Sequence, residues 1–438
     1  MVLRAFLVIA TFLLIVAVAT DTPLPFTRSR LASEAQTFKA NQNLNQKRQQ
    51  NLGDFKLNIQ APKQDSVIMN DPAIHKKWGL KNSNALDAWQ LTTGSRDIIV
   101  AIVDTGIDTN HPDLKNNLWR NPGESGKDKN GKDKAFNGID DDKNGYVDDV
   151  HGWNFVHGNH QLKDNHGHGT HIAGIVGAEG GNNYGVTGVA PKVSLMILKY
   201  FDPKSASNNL VNTIKAFDYA VRMNAHVINY SGGGLEFSKK EFMAVKRAEQ
   251  KGILFVAAAG NERTNSDFNK YYPADYDLDN IISVTAINPT QRVLSSSNYG
   301  VNTVDIAAPG ENIYSTLPDK SFGPMTGTSQ ATAFVSGVAA LLMSHNRDFD
   351  AKAVRKYILR TGDSLKWLKT KTQTSKKLNV YRSLTMLDQG VGASGVVANN
   401  TGNPESNVFE APSDDKKKET SLDNFGKSLL KAIKKKKN

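Results

Sequence analysis

Ser329 heads a run, to about Ser344, that is small and apolar apart from Gln330 and a few hydroxyls. That composition predicts a helix buried on most sides, with Thr326-Gly327 as a tight turn before it. Backbone N–H groups in a first helical turn have no intrahelical partners, and the positive end of the dipole lies close by. A hydroxyl placed there can attack a carbonyl while a neighbouring N–H receives the oxyanion. Taken alone, Gly327-Thr328-Ser329 also fits a plain helix cap, since serine is favoured at that position.

Two further motifs carry groups that could activate such a hydroxyl. Asp104-Thr105-Gly106 follows Asp97–Val103, a nearly continuous apolar run of the kind that forms a central parallel strand. A carboxylate at the carboxyl end of such a strand lies where open α/β sheets place their sites. A mechanism built on paired carboxylates needs a second Asp-Thr-Gly, or a dimer of short chains. This long chain has one copy, which argues against it. The second motif is Asp164-Asn165-His166-Gly167-His168-Gly169-Thr170-His171. Its histidine spacing does not bring all three onto one helical face, which disfavours zinc. A histidine opening a helix of Gly, Thr and Ala fits a general base held close to another backbone.

The elements that must position these groups alternate. Strands are expected at Ser194–Lys199, Val227–Tyr230, Ile253–Ala259, Ile281–Ala286 and Asn302–Ala308. Helices are expected over Asn208–Asn224, Glu236–Lys251 and Asp350–Thr361. This alternation predicts an α/β fold: a doubly wound, mostly parallel sheet with helices on both faces, carrying disordered N- and C-terminal extensions.

Four segments follow from composition: a signal peptide over 1–19, a short pro-segment or linker over 20–68, one catalytic-type domain over 69–388, and a disordered linker with a Lys-rich amphipathic tail over 389–438. The first carries Arg4, an apolar run from Ala5 to Ala19 and the small-x-small ending Ala17-Val18-Ala19. It makes the protein exported, periplasmic or extracellular; an uncleaved N-terminus would instead tether it to a membrane. There is no cysteine, so rigidity must come from a large core or from calcium. Of the net charge of +11, Lys416–Asn438 contributes +7 from nine lysines against Glu419 and Asp423. The body therefore carries little excess and has no basic stripe with aromatics, which excludes a nucleic-acid binder. The tail suits weak contact with an anionic membrane or cell wall, or serves only as a solubilising extension.

Within the Asp- and Asn-rich stretch 121–150, Asp140, Asp142, Asn144 and Asp148 fall at positions 1, 3, 5 and 9 of a calcium-type loop, with Gly145 at position 6. His151 stands where the bidentate Glu of position 12 belongs, so a solvated acidic turn remains the other reading.

Asp104-Thr105-Gly106, His168-Gly169-Thr170-His171, Ala258-Ala259-Gly260-Asn261 and Gly327-Thr328-Ser329, in that order, resemble the subtilisin-like serine proteases over about residues 70–388. The resemblance implies a secreted serine endopeptidase, a monomer that acts on protein or peptide substrates through an acyl-enzyme. It implies Ser329 as nucleophile, His168 as general base, Asp104 as its orienting acid and Asn261 as oxyanion donor. It assigns Ser231, Gly232 and Gly233 to pairing with substrate backbone, and Ala258 and Gly260 to the opposite wall of the adjoining pocket. It also implies structural calcium, with Asp71, Asp113 and Asn182 as ligands. A silent peptide-binding member is the alternative, and the filling of every catalytic position counts against it. Departures are Gln330 after the nucleophile where the family usually has Met, Gly232 where it often has Leu, Tyr271 near the pocket floor, and a short pro-segment.

Overall fold

A computed structural model describes residues 70–386. The expected leader, the polar segment to residue 68 and the Lys-rich tail lie outside the described residues. After short helices α1 (Trp78–Asn82) and α2 (Ala85–Ala88) come β1 (Gly94–Asp104), β2 (Gly152–Asn154), α3 (His168–Gly177), β3 (Lys192–Lys199), α4 (Asn209–Arg222), β4 (Val227–Tyr230), α5 (Lys239–Gln250), β5 (Leu254–Ala258), β6 (Ile281–Ile287) and β7 (Ile306–Pro309). A hairpin of β8 (Ile313–Leu317) and β9 (Ser321–Met325) precedes α6 (Thr328–His345) and α7 (Ala351–Thr361). The last elements are β10 (Asp363–Ser364), β11 (Lys376–Lys377) and α8 (Val380–Thr385).

The main sheet has nine strands in the order β10-β11-β7-β6-β5-β4-β1-β3-β2, all pairs parallel except β10 with β11. The chain runs from β1 to β3 on one side, then crosses to β4 on the other. The winding reverses at β1, so the switch point lies beside Asp104.

Strand β1 shows why both faces are covered. Val100 and Ile102 join the core under α3, α6 and α7, while Ala101 and Val103 join the core with Phe217 of α4 and Ala244 of α5. Alternate side chains point to opposite faces, so a strand sandwiched between helix layers must be apolar throughout. Helix α6 is buried from Thr328 to Met343, as its composition predicts. Helices α4, α5 and α7 each begin at a capping side chain: Asn208, Ser238 and Asp350 accept from the N–H groups of Val211, Glu241 and Ala353. Ser238 is why α5 starts after the expected Glu236. The β8–β9 hairpin was not expected from sequence; its residues Ser315, Thr316, Gly323 and Pro324 break the alternation that marks a strand. Among the described residues, no helix is long and apolar enough to cross a membrane.

Candidate functional site

Asp104 ends β1 and His168 begins α3, and the two meet: His168 Nδ1 lies 2.7 Å from Asp104 Oδ1. Both are almost fully buried. A carboxylate only accepts, so Nδ1 carries the proton of the neutral ring and Nε2 keeps the lone pair. Burial alone would push this imidazole pKa down. The charge and hydrogen bond of Asp104, with the charge of Asp164, outweigh it and hold the pKa above the usual histidine value.

The contact requires α3 to start close against the turn after β1. Gly169 permits this: a Cβ there would fall 2.2 Å from the Gly106 carbonyl oxygen. The neighbouring Asp164 fixes the same junction. It accepts from Thr105 Oγ1 (2.8 Å), from the N–H groups of His166 (3.0 Å), Gly167 (2.8 Å) and Thr170 (2.9 Å), and from Thr170 Oγ1 (2.7 Å). Burial pushes this carboxyl up, but bonds from Thr170, Gly167 and His166 prevail and keep it below the ordinary range. Hydrogen bonds to a charged group contribute about 1.5–3 kcal/mol each, so five together offset the desolvation. Thr105 also accepts from Gly169 N–H at 2.8 Å, linking the Asp104 turn to the first turn of α3. Sequence reasoning gave neither Asp164 nor Thr105 a role.

The other histidines go elsewhere. His171 Nε2 reaches the carbonyls of Ile313 (2.8 Å) and Gly323 (3.1 Å), so it ties α3 to the hairpin, and burial pushes its pKa down to about 3. His166 packs edge-on against His168.

Ser329 is the second residue of α6, and Gly327 is the N-cap with no side-chain capping bond, so the hydroxyl is not a cap. Its Oγ donates to the Ser231 carbonyl at 3.3 Å, just past β4. Strands β1 and β4 are neighbours with Val103 level with Tyr230. Asp104 and Ser231 therefore follow at the same level on adjacent strand ends, which stand about 4.8 Å apart. The imidazole and the hydroxyl are each tied to one of these ends.

Asn261 follows β5. Its Oδ1 accepts from Thr328 N–H (3.1 Å) and Thr328 Oγ1 (3.3 Å). A backbone N–H can only donate, so this bond fixes the amide with its NH2 turned away from α6's first residue. The loop under it is held by buried Asn298, which donates to Ala259 O (2.9 Å) and Glu262 Oε2 (2.7 Å) and accepts from the N–H groups of Glu262 (3.0 Å) and Thr264 (3.1 Å). Gly260 bends this loop with φ of +98°, a left-handed value that glycine adopts freely. Thr328 and Asn298 had no role in the sequence reading; single-sequence patterns carry no signal for side chains that act by holding another residue.

Ser231, Gly232 and Gly233 continue β4, while Ala258 ends β5 and Gly260 follows it. A Cβ on Gly232 would meet Tyr200 Oη at 2.4 Å and Tyr230 Oη at 2.7 Å, so these two tyrosines replace the bulk of a side chain there. Beside this segment lies a cavity of about 1110 Å³ whose lining includes Tyr200, Leu210, Tyr230, Gly233, Phe237 and Tyr272. Gln330 is fully buried, and among the described residues neither polar atom of its amide has a hydrogen-bond partner.

The metal candidates divide. Glu124, Asp142 and Asp149 each place a carboxylate oxygen within 4.8 Å of the others. Glu124 is fully buried and among the described residues its Oε2 has no hydrogen-bond partner, while Oε1 accepts from Asp141 and Asp142 N–H. This donor set fits calcium, which prefers several carboxylate oxygens. The expected loop set does not converge on one point. Asp142 belongs to the cluster, but Asp140 caps the N–H groups of Asn144 (3.0 Å) and Gly145 (2.8 Å), and Asp148 accepts from Gly138 N–H (3.1 Å). Asn144 turns its amide NH2 toward Asp149 (2.8 Å) and Asp142 (3.2 Å). Glu124 and Asp149 were missed because they lie outside the regular spacing.

Asp71, Asp113 and Asn182 do come together, but through hydrogen bonds. Asp71 accepts from Gly181 N–H (2.9 Å), Asn182 N–H (3.1 Å) and Thr187 Oγ1; Asp113 accepts from Val186 N–H (2.8 Å) and Asn182 Nδ2 (3.0 Å). Asn182 Oδ1 is taken by Tyr184 N–H at 2.8 Å, so it faces away from Asp113. Lys77 is buried with no hydrogen-bond partner on Nζ; burial pushes its pKa down to about 7, while Asp113 and Asp71 are near enough to pull it up. Here the two carboxylates are held by N–H and hydroxyl donors with a buried amine nearby, as Asp142 and Asp149 are held by Asn121, Asn144 and Tyr219.

The chain is similar to several known proteins. It is 35% identical over 306 residues to "Subtilisin-like protease 1" of Plasmodium berghei (strain Anka), covering 66% of this chain and 50% of that protein. To "Thermitase" of Thermoactinomyces vulgaris it is 34% identical over 317 residues, covering 72% and 98%. To "Major intracellular serine protease" of Bacillus subtilis (strain 168) it is 36% identical over 272 residues, covering 62% and 76%. The chain thus spans about half the length of the first of these relatives and nearly all of thermitase. The family model described as "Subtilase family" matches residues 95–416, which take in β1 with Asp104, α3 with His168, the Asn261 loop and α6 with Ser329: the chain belongs to the subtilase family.

Proposed function

We propose that the chain is a serine endopeptidase that hydrolyses peptide bonds through an acyl-enzyme. The observation that carries this is the 2.7 Å contact of His168 with Asp104 on the strand end beside the one that anchors Ser329. In the reaction Ser329 Oγ exchanges its bond to Ser231 for one to His168 Nε2, gives up its proton there and adds to the substrate carbonyl carbon. Negative charge collects on the carbonyl oxygen, met by Asn261 Nδ2 and by the Ser329 N–H in the first turn of α6. His168 passes the proton to the amine nitrogen as the C–N bond breaks, leaving an ester on Ser329. Water then repeats the sequence, giving its proton to His168 and releasing the acid. Asp104 holds Nδ1 protonated and stabilises the imidazolium. A serine-reactive phosphonate should label the protein at Ser329 alone; a labelled site elsewhere, or none, would end the reading.

Asn261→Ala removes the side-chain oxyanion donor. It should lower kcat by about 10²–10³ with little change in KM. An unaltered kcat would place the oxyanion elsewhere.

Calcium is proposed at Glu124, Asp142 and Asp149, where it would neutralise three crowded carboxylates and pin the 121–150 stretch. Chelation should lower the Tm, and Glu124→Gln should lose most of that chelation effect. A Tm indifferent to chelator would remove the metal.

Export is proposed from the composition of residues 1–19, with protein or peptide substrates met outside the cytoplasm. N-terminal sequencing of protein recovered from culture medium or periplasm tests it.

A further inference from the structure

Resting on the endopeptidase reading, we infer that Tyr271 closes the pocket beside the scissile bond, so that this chain cleaves after residues with small side chains: glycine, alanine or serine. The position of the acyl group sets the argument. Its carbonyl carbon must reach Ser329 Oγ while its oxygen meets the Asn261 amide. Ser329 is anchored just past β4, and Asn261 lies three residues past β5. These strands are neighbours, with Tyr230 level with Ala257. The side chain on the acyl side of the bond therefore enters between the segments that continue them, Ser231–Gly234 and Ala259–Asn261.

The Tyr271 ring occupies that gap. A Cβ built on Gly233 would lie 2.4 Å from Tyr271 Cε1, and a Cβ built on Gly260 would lie 3.0 Å from Cδ2 of the same ring. One ring thus rests against both glycine backbones, leaving no width for a second ring or a branched chain between them. Tyr271 is 7% exposed, so the phenol is packed in place rather than resting over the entrance.

The backbone that carries the ring is also clamped. Tyr271 N–H donates to Asp275 Oδ2 (2.8 Å), and its carbonyl accepts from Asp275 N–H (3.0 Å). The next residue, Tyr272, exchanges two backbone bonds of 2.8 Å with Gly234. These bonds fix the backbone from which the ring projects. Glu262 Oε2 and Asn298 Nδ2, at 2.4 and 2.5 Å from the Gly260 Cβ position and bonded to each other, fill the Gly260 side of the same gap.

The test is a set of peptides identical except at the residue before the cleaved bond. Values of kcat/KM for Ala and Ser should exceed those for Leu and Phe by about 100-fold or more, since one misfitting methylene in a pocket already costs about 10–200-fold. Tyr271→Gly, checked for folding by its melt, should raise the Phe-to-Ala ratio by about 100-fold. Should that variant not fold, labelling of the unmodified protein by phosphonates carrying a methyl or a benzyl group reads the same pocket, and the methyl compound should react faster by a similar factor. Equal cleavage after Phe and Ala, equal labelling by the two phosphonates, or an unmoved ratio in folded Tyr271→Gly would overturn the inference while leaving the protease assignment standing. A protein that neither cleaves nor is labelled would overturn the endopeptidase reading itself, and this inference with it.

Discussion

Replacing Ser329 with Ala should reduce kcat on a peptide or denatured-protein substrate by a factor on the order of 10⁶, since the members of a Ser-His-Asp relay act as a unit. The expectation follows from the position of one atom. On the proposed mechanism Ser329 Oγ is the nucleophile, held at the start of a buried helix, and its neighbours carry no free second hydroxyl that could take over: Gln330 and Ala331 follow it, and Thr328 Oγ1 is bonded to Asn261. Binding should persist, because the segments that would pair with substrate are not altered, so KM should move far less than kcat. The fold should persist too, since the lost bond to Ser231 is a single contact of 3.3 Å. Circular dichroism and a melt, measured beside the kinetics, separate loss of chemistry from loss of structure. A folded Ser329→Ala protein that cleaves at an undiminished rate cannot be reconciled with the acyl-enzyme reading.

Asp104→Asn should lower kcat by about 10⁴ while leaving the local geometry nearly intact. An amide can donate to Nδ1 as well as accept from it, so the proton is no longer confined to that nitrogen, and Nε2 loses its role as acceptor in part of the population. The substitution also removes the main influence opposing burial at His168. In the native protein the raised imidazole pKa should place the acid limb of kcat/KM above the ordinary histidine value of about 6.5. In Asp104→Asn that limb should move down, because burial then prevails. The stability consequence has the opposite dependence on pH. A raised folded-state pKa contributes stability that is fully present below the unfolded value and is lost as pH rises through the folded value. The melting deficit of Asp104→Asn should therefore shrink as pH climbs past the acid limb of the native enzyme. A pH–rate profile whose acid limb is the same in both proteins would detach Asp104 from His168.

Much of this could be read from the chain alone. Asp97–Val103, Val227–Tyr230 and Ile253–Ala259 are apolar runs broken only by Asp97 and Asn229, and a strand covered on both faces is apolar at nearly every position. Helix α6 is legible for the same reason, and Asp104, His168 and Ser329 stand out because each falls at the junction of a strand or a helix with a glycine turn. The family order of these motifs added their roles. What the chain did not disclose are the groups that act by contact across long separations. Asp164 gathers N–H groups and hydroxyls from both sides of the Asp104–His168 junction. Asn298 supports the Asn261 loop from 36 residues away, by its bond to Glu262 N–H. Thr328 sets the orientation of the Asn261 amide across 67 residues. The fate of His171 depended on a hairpin whose strands lack a clear alternation.

The acidic stretch makes the same division. Spacing picked out Asp140, Asp142, Asn144 and Asp148, yet only Asp142 joins the buried carboxylates; Glu124 and Asp149 complete the set from off-register positions. A residue's type and its place in a periodic element are local properties, fixed by backbone geometry and by which face must leave water, and the sequence states them. Which distant side chain accepts a given proton, fills a given pocket or crowds a given carboxylate depends on how the layers dock. The resemblance put Tyr271 near the pocket floor, but whether its ring rests against both Gly233 and Gly260, like whether Lys77 lies near Asp71 and Asp113, only the packed tertiary structure decides, because no local rule fixes contacts between side chains of separate segments.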